Sequence, residues 1–398
     1  MSARLFLVLA TALLLCLGVL LWALTRPQLA VLQTATFHAV DFDDLPGWAA
    51  DDHAAAIPAF RLSCARMARW PDDRPLTTGG AGGHAADWRT ACAALDKVPS
   101  DNAAAARDYF ETHFLPHAVR FAGSEDGLFT GYYEPLLHGS PIADASYRVP
   151  LYARPGDLVT VDLSAFADDL AGRRLVGRVD GGRLLPYPTR AEIDGGYLDG
   201  RGAELLYVDD PVDAFFLHIQ GSGRVRLPDG REVRVGFAAK NGQPYFAIGR
   251  ALIDRGVLTR ESVSMQSIRA WLEANPDEAA ALMQQNPSYV FFRLLDEPRP
   301  LGSLGVPLTP GRSIAVDRRL IPLGAPVWLD AAQPGAASGA ADRPLRRLMV
   351  AQDTGGAING GVRGDVFWGA GAEAEHVAGH MKHPGRWFLL LPKPQPAS

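Results

Sequence analysis

The chain has no run of lysine or arginine: its 39 basic residues are dispersed among 44 acidic ones, for a net charge of -5. Without a basic face to neutralise phosphates, nucleic acid is not an expected partner. Cysteine is scarce, with three in 398 residues. Cys16 falls in an apolar N-terminal run, so only Cys64 and Cys92 remain beyond it, both in one early segment. In an oxidising compartment such a pair is a candidate disulfide, with two buried free thiols as the alternative. Charged residues make up only 21% against 47% hydrophobic, the make-up of a globular rather than a disordered chain, and the length suggests two domains. A second Asp-Thr-Gly or Asp-Ser-Gly is also missing. Asp353-Thr354-Gly355 spells the loop of an aspartic protease, but those enzymes pair two such loops across one shared proton.

What is present starts with an address. Leu5 to Leu24, LFLVLATALLLCLGVLLWAL, carries no charge and is followed by Thr25-Arg26-Pro27. About twenty such residues cross a bilayer as a helix, at roughly 1.5 Å per residue. A cleaved secretory signal is the other reading, and either exports the rest of the chain. Leu15 stands before Cys16, where a lipoprotein signal requires a small residue. An inner-membrane anchor or a cleaved signal is therefore expected ahead of an outer-membrane lipoprotein.

Between Gln28 and Val98 short apolar pieces alternate with PDDRP and TTGGAGGH, and no clear elements emerge. Ser100 to Phe114 predicts a helix capped by Ser100, with Tyr109, Phe110 and Phe114 turned inward. LFTGYYEP, Leu128 to Pro135, predicts a strand. Its rings suit sugar faces, and Thr130 and the tyrosine hydroxyls can bond a sugar; a plain core strand reads equally well. Pro141 to Asp199 is broken by RPGD, DGGR and DGG turns and reads as β-rich. Ala214 to Ile219 predicts a strand running into Gln220-Gly221-Ser222-Gly223, a turn able to present a carboxamide, a hydroxyl and bare N–H groups, or simply a tight hairpin. Lys240-Asn241-Gly242 is a turn whose lysine can reach a ligand. Helices are predicted over Ser262 to Asn275 and Asp277 to Gln285. From Tyr289 six short strands follow, YVFFRLL, SIAVD, APVWLD, LRRLMVAQD, RGDVFWG and WFLLLP, implying a small closed barrel. Between Asp330 and Arg343, AAQPGAASGAA reads as an exposed low-complexity loop.

The chemistry concentrates in the glycine-rich stretch Gln352 to Gly369, which holds Asp353 and Asp365; Asp317 lies upstream in SIAVDRRLIPLG. Asp365 and Phe367 share one face of their strand, because side chains alternate. A carboxyl beside a ring is partly desolvated, and like charge on Asp353 or Asp317 raises its pKa further, as a general acid at neutral pH needs. Aspartates that merely brace glycine turns are the bland alternative, expected to hold for one or two of the three. His376, His380 and His383 form an H-x3-H-x2-H array. Gly379 and Pro384 weaken the helix that zinc ligation would need, so no metal is expected.

Taken in order, FTGYYEP, FFLHIQGSGRV, AAKNGQPYFAIGRALIDRG, SMQSIRAWLEANP, QNPSYVFFR, DRRLIPLG and QDTGGAINGGVRGDVFWGAGAEAEHVAGHMKHPGRW cover most of Leu128 to Trp387. Together they resemble the membrane-bound lytic murein transglycosylase A family of Gram-negative bacteria. The resemblance implies a mainly β fold with few helices: a double-psi β-barrel carrying the three aspartates, interrupted by a second β-rich domain, with a substrate groove between them. The expected divisions are residues 1–27 as signal or anchor, 28–135 as the N-terminal part of the barrel domain, 136–288 as the insert and 289–393 as the three-aspartate barrel. By position in the family's motifs, Asp365 is the expected catalytic acid and base, with Asp317 and Asp353 in support. Thr130, Tyr132, Gln220, Gly221, Ser222 and Lys240 are expected at the groove. The spacing within NGGVRGD departs slightly from the family's pattern.

The reaction so implied cuts the β-1,4 bond between N-acetylmuramic acid and N-acetylglucosamine in peptidoglycan glycan strands. It leaves a 1,6-anhydromuramyl end and uses no cofactor. The implied setting is the periplasm, with a membrane-associated monomer working beside other cell-wall enzymes. Two rivals stay open. One is a hydrolytic endoglycosidase, with Glu125, Asp126 or Glu134 as the second carboxylate; the other is a non-catalytic peptidoglycan-binding envelope protein.

Overall fold

The computed structural model describes residues 34–394, apart from 171, 297–298 and 336–339. The apolar run from Leu5 to Leu24, with Cys16, lies outside the described residues; among those described, no helix is long and apolar enough to cross a membrane. The first part contains β1 (Ala35–Ala39), α1 (Ile57–Met67), α2 (Arg89–Leu95), α3 (Ala103–His113), β2 (Phe114–Phe121) and β3 (Gly127–Glu134). A disulfide joins Cys64 on α1 to Cys92 on α2, with their Cα atoms 5.4 Å apart. Asn102 rather than Ser100 caps α3, its Oδ1 accepting from the Ala105 N–H at 2.9 Å. The Ser100 hydroxyl instead accepts from Arg61 Nη1 at 3.1 Å. Tyr109, Phe110 and Phe114 pack around Phe60.

The chain then leaves for a second body. It comprises β4 (Leu136–Ser140), β5 (Val149–Tyr152), β6 (Val159–Asp162), β7 (Arg174–Asp180), β8 (Arg183–Pro186), β9 (Glu204–Val208), α4 (Pro211–Gln220), β10 (Ser222–Arg226), β11 (Glu232–Lys240), α5 (Met265–Ala274), α6 (Pro276–Met283) and β12 (Val290–Leu295). One sheet runs β12-β11-β10-β4-β9-β5, while β6, β7 and β8 form a separate three-strand arm.

Ala214 to Ile219, a strand by its sequence, is helical and lies within α4. Asp210 caps that helix, its Oδ1 accepting from the N–H groups of Val212 and Asp213 at 2.6 and 3.1 Å. Pro211 follows in the first turn, where a missing N–H costs nothing. The strand reading fails because α4 is buried on opposite sides. Ala214 and Leu217 enter one core cluster, and Val212, Phe215 and Phe216 another, which erases the polar–apolar rhythm of a surface helix.

The return segment supplies β13 (Ser313–Val316), β14 (Pro326–Gln333), β15 (Arg343–Asp353), β16 (Arg363–Ala370), α7 (Ala372–His380) and β17 (Lys382–Pro392). Strands β17, β14, β15, β13, β16 and β3 pair in that order, and β3 pairs back to β17, closing a six-strand barrel; β2 and β1 continue outward from β17. The β13–β15 and β16–β3 pairs are parallel, and the other four are antiparallel. Closure leaves the ring no open edge. Membership differs from the sequence expectation by one strand. YVFFRLL is β12 and pairs with β11 in the inserted sheet, while LFTGYYEP, as β3, completes the barrel.

Trp328, Trp387, Phe129, Ile314, Val350 and Val366 belong to the main core. Gln352, fully buried, ties α1 to that core: it accepts from Ser313 Oγ at 2.5 Å and donates to Ala59 O at 2.8 Å and Ser63 Oγ at 2.9 Å. A buried carboxamide so fully paired fixes the end of β15, where Asp353 begins its turn.

Candidate active site

Strand pairing places the acidic residues in one row. Ala315 on β13 opposes Asp353 on β15 and Asp365 on β16; Asp365 in turn opposes Thr130 on β3, which opposes Lys382 on β17. Neighbouring strands lie roughly 4.8 Å apart, so the Asp353 and Asp365 backbones stand about 10 Å apart, separated by the small Ala315. Two residues further along, Phe367 opposes Tyr132, their ring centroids 5.2 Å apart. Between Thr130 and Tyr132, Gly131 lets α7 and β16 close in: a Cβ there would lie 2.6 Å from Trp368 Nε1 and 2.9 Å from Ala378 Cα.

The three aspartates differ in what holds them. Asp317 is buried and fully engaged, its Oδ1 accepting from Arg319 N and Nε at 3.1 and 2.9 Å and its Oδ2 from Arg319 Nη2 and Gly360 N at 2.7 and 3.0 Å. Burial opposes its charge, but the Arg319 guanidinium and these N–H groups win and hold its pKa below the usual value. Asp353 is also saturated. Its Oδ1 accepts from Ser303 N, Ser303 Oγ and Thr354 N at 2.8, 2.9 and 2.8 Å, and its Oδ2 from the Tyr132 hydroxyl at 2.8 Å. Asp365 has a single protein donor among the described residues, Thr130 Oγ1, at 2.6 Å from its Oδ1.

Burial is the largest influence on both Asp353 and Asp365 and holds both pKa values above the ordinary range. For Asp365 the Arg363 charge and the Thr130 bond pull downward, and the Asp353 charge pushes up. Asp317 does not contribute to that upward push; its charge is spent on its own turn.

Tyr245 of the inserted domain is near enough to feel the row: its pKa is raised first by burial and then by the negative charge of Asp365. Tyr245 is nonetheless 43% exposed. Gln220 faces inward to the fold: its Oε1 accepts from Tyr133 N at 3.1 Å and its Nε2 lies 3.7 Å from Met265 Sδ. Gly221, at φ 79°, is the left-handed cap of α4, and Ser222 opens β10, half-buried. Lys240 is exposed at the end of β11 and forms no ion pair with the three aspartates. Its neighbour Asn241 is a structural pin, donating to Pro188 O and Pro287 O, each at 2.8 Å, and accepting from Tyr289 N at 2.9 Å.

The histidine array is occupied by hydrogen bonds: His376 Nε2 with Gly335 O at 3.2 Å, His380 Nδ1 with His376 O at 2.8 Å, and His383 Nε2 with Asp342 Oδ2 at 2.9 Å.

Residues 128–293 match the MltA specific insert domain, and residues 312–391 match the 3D domain. The crystal structure of membrane-bound lytic murein transglycosylase from Agrobacterium tumefaciens superposes with a TM-score of 0.79 at 36% identity, covering 90% of this chain and 98% of that one. This chain belongs to the MltA family. Membrane-bound lytic murein transglycosylase A of Vibrio cholerae is 35% identical over 268 residues, 66% of this chain and 65% of that relative's length. Escherichia coli MltA, solved with bound chitohexaose, is 27% identical, with a TM-score of 0.65 over 90% of this chain and 95% of that one.

Within this MltA-family barrel, three residues near the row escape sequence reasoning. Arg363 was findable, since it precedes Asp365 by two and alternation places both on one face. Ser303 and Tyr245 come from loops with no periodic signal, and only the fold carries them to the aspartates.

Proposed function

We propose that this chain is a lytic transglycosylase acting on peptidoglycan glycan strands, with Asp365 as both acid and base. The observation that carries the assignment is hydrogen-bond occupancy. Asp317 and Asp353 have both oxygens filled by protein donors, whereas Asp365 Oδ2 has none among the described residues. An uncommitted carboxyl oxygen with a raised pKa is what protonation of a leaving group requires. The chitohexaose bound by the E. coli relative supports a sugar chain as ligand. The glycan would lie between the barrel row and the insert, against Tyr245, with Thr130, Tyr132 and the Gln220 to Ser222 turn bordering it and Lys240 further out. Asp317 and Asp353 serve as supports.

In the first step Asp365 gives its proton to the glycosidic O4 as the C1–O4 bond breaks, releasing N-acetylglucosamine and leaving positive charge on the muramyl ring. The resulting carboxylate then takes the proton of the muramyl C6 hydroxyl as O6 bonds to C1. A 1,6-anhydro ring forms, Asp365 is again protonated, and no water is consumed. The attacking hydroxyl is held within the same sugar, so its effective concentration is high without a second carboxylate. That suits the structure, because two of the three candidates for such a group, Glu134 and Glu125, are paired elsewhere. Glu134 is buried between Arg234 and Arg224, the second at 3.7 Å, and Glu125 pairs with Arg120 at 2.7 Å. We place the protein in the periplasm, held at the membrane through its N-terminal segment.

Digestion of purified sacculi followed by mass spectrometry tests the proposal. Anhydromuramyl ends are expected, and Asp365→Asn should lower turnover by about 10²–10⁴ while binding chitooligosaccharide normally. Reducing ends would favour the hydrolase, and binding without any cleavage would favour a scaffold protein.

A further inference from the structure

We propose that Arg363 is a positioning residue that, acting through the Thr130 hydroxyl, confines the transferable proton of Asp365 to its outward oxygen, Oδ2. The inference rests on Asp365 being the acid. A protonated carboxyl can carry its proton on either oxygen, and a proton on Oδ1 would point at Thr130 and away from any ligand. A threonine hydroxyl has one proton and can both donate and accept, so by itself it would permit that wrong arrangement.

Arg363 removes the ambiguity. Its Nη2 donates to Thr130 Oγ1 at 3.0 Å, and its Nη1 is anchored on Gly364 O at 2.6 Å and Leu128 O at 3.1 Å. A guanidinium has donors only and never gives up its proton in a protein, so Thr130 must accept from it. The Thr130 proton then has one acceptor among the described residues, Asp365 Oδ1, at 2.6 Å. With Oδ1 held as an acceptor in both charge states, the acid proton rides on Oδ2.

Other charged and titratable groups surround Asp365. Asp353 stands two strands away across Ala315, and Tyr132 and Tyr245 are each held neutral chiefly by burial. Lys382, across from Thr130, spends its Nζ on Arg260 O at 3.1 Å. Arg363 is the cation whose field opposes the upward push of burial on Asp365.

The test combines kinetics on glycan strands with a ¹³C-carboxyl NMR titration of Asp365 in Arg363→Met, Thr130→Val, the double variant and Thr130→Ser. Arg363→Met should lower kcat about tenfold with KM nearly unchanged, which corresponds to about 1.4 kcal/mol added to the barrier. Its Asp365 titration and the alkaline limb of kcat should both move to higher pH. Thr130→Ser should keep the wild-type limb. In the Thr130→Val background the added Arg363→Met should cost little further kcat, because the relay is already cut. A full second tenfold loss in the double variant, or an Asp365 titration indifferent to Arg363, overturns the proposal. Arg363→Lys, which keeps the charge, should keep the titration near that of the wild type, and a large upward shift there also counts against it. The NMR titration reads Asp365 without turnover, so a protein that shows the shifts yet makes no anhydro ends would refute the transglycosylase reading alone.

Discussion

Asp365→Asn should make the folded protein more stable at neutral pH. The substitution keeps the shape and the acceptor oxygen facing Thr130 and removes only the ability to ionise. The raised pKa of Asp365 is a net statement: burial and Asp353 together outweigh Arg363 and Thr130, so the fold prefers this group neutral. A carboxyl whose folded pKa lies above its unfolded value binds protons more tightly when folded. Stability is then greatest below the unfolded pKa, about 3.9, and falls as pH rises through the folded one. The asparagine variant escapes that fall. Active-site replacements that relieve such a penalty typically yield about 0.5–2 kcal/mol. For a chain of this size that corresponds to a Tm increase of about 1–4 °C. Calorimetry near pH 7 should show the gain, and near pH 3, where the wild-type carboxyl is also protonated, it should vanish. A variant less stable than wild type at neutral pH, or equally more stable at both, would refute the reasoning.

Two further perturbations probe the frame that holds the row. Arg312 grips Asp51 through two bonds, Nη1 to Oδ2 at 2.7 Å and Nη2 to Oδ1 at 3.0 Å, with both side chains nearly buried. Asp51→Ala leaves the guanidinium unpaired and should cost about 3–5 kcal/mol in denaturant unfolding. The Cys64–Cys92 disulfide closes a separation of 28 residues, so replacing both cysteines with serine should lower stability by roughly 3 kcal/mol, and reductant should lower the melting temperature of the wild type alone.

The barrel was readable because its strands announce themselves locally. SIAVD, APVWLD, LRRLMVAQD, RGDVFWG and WFLLLP are each short, apolar and bounded by turns, and each becomes a strand of the ring. What sequence order could not show was that the chain leaves after β3 and returns only at β13, so the neighbouring YVFFRLL was assigned to the wrong sheet. Helix α4 was misread for a different reason: a helix packed on both sides has no polar face to mark its period. At the site, the alternation of Asp365 and Phe367 was legible, as was the nearness of Arg363. The filling of Asp353 was not, because two of its donors come from Ser303, fifty residues away in sequence.

That filling matters more than the pKa values for telling the two aspartates apart. Burial pushes Asp353 and Asp365 in the same direction, so protonation tendency alone leaves their roles interchangeable. Asp353 receives four hydrogen bonds, which suit a carboxylate and engage both of its oxygens. Asp365 receives one. Since both sit in the same row with only Ala315 between, the difference arises from what their neighbouring strands and loops present. The strand β3 offers Asp365 a single hydroxyl, while the Ser303 loop and Tyr132 close over Asp353. An aspartate sealed in this way can still act at a distance, because its charge raises the pKa of Asp365.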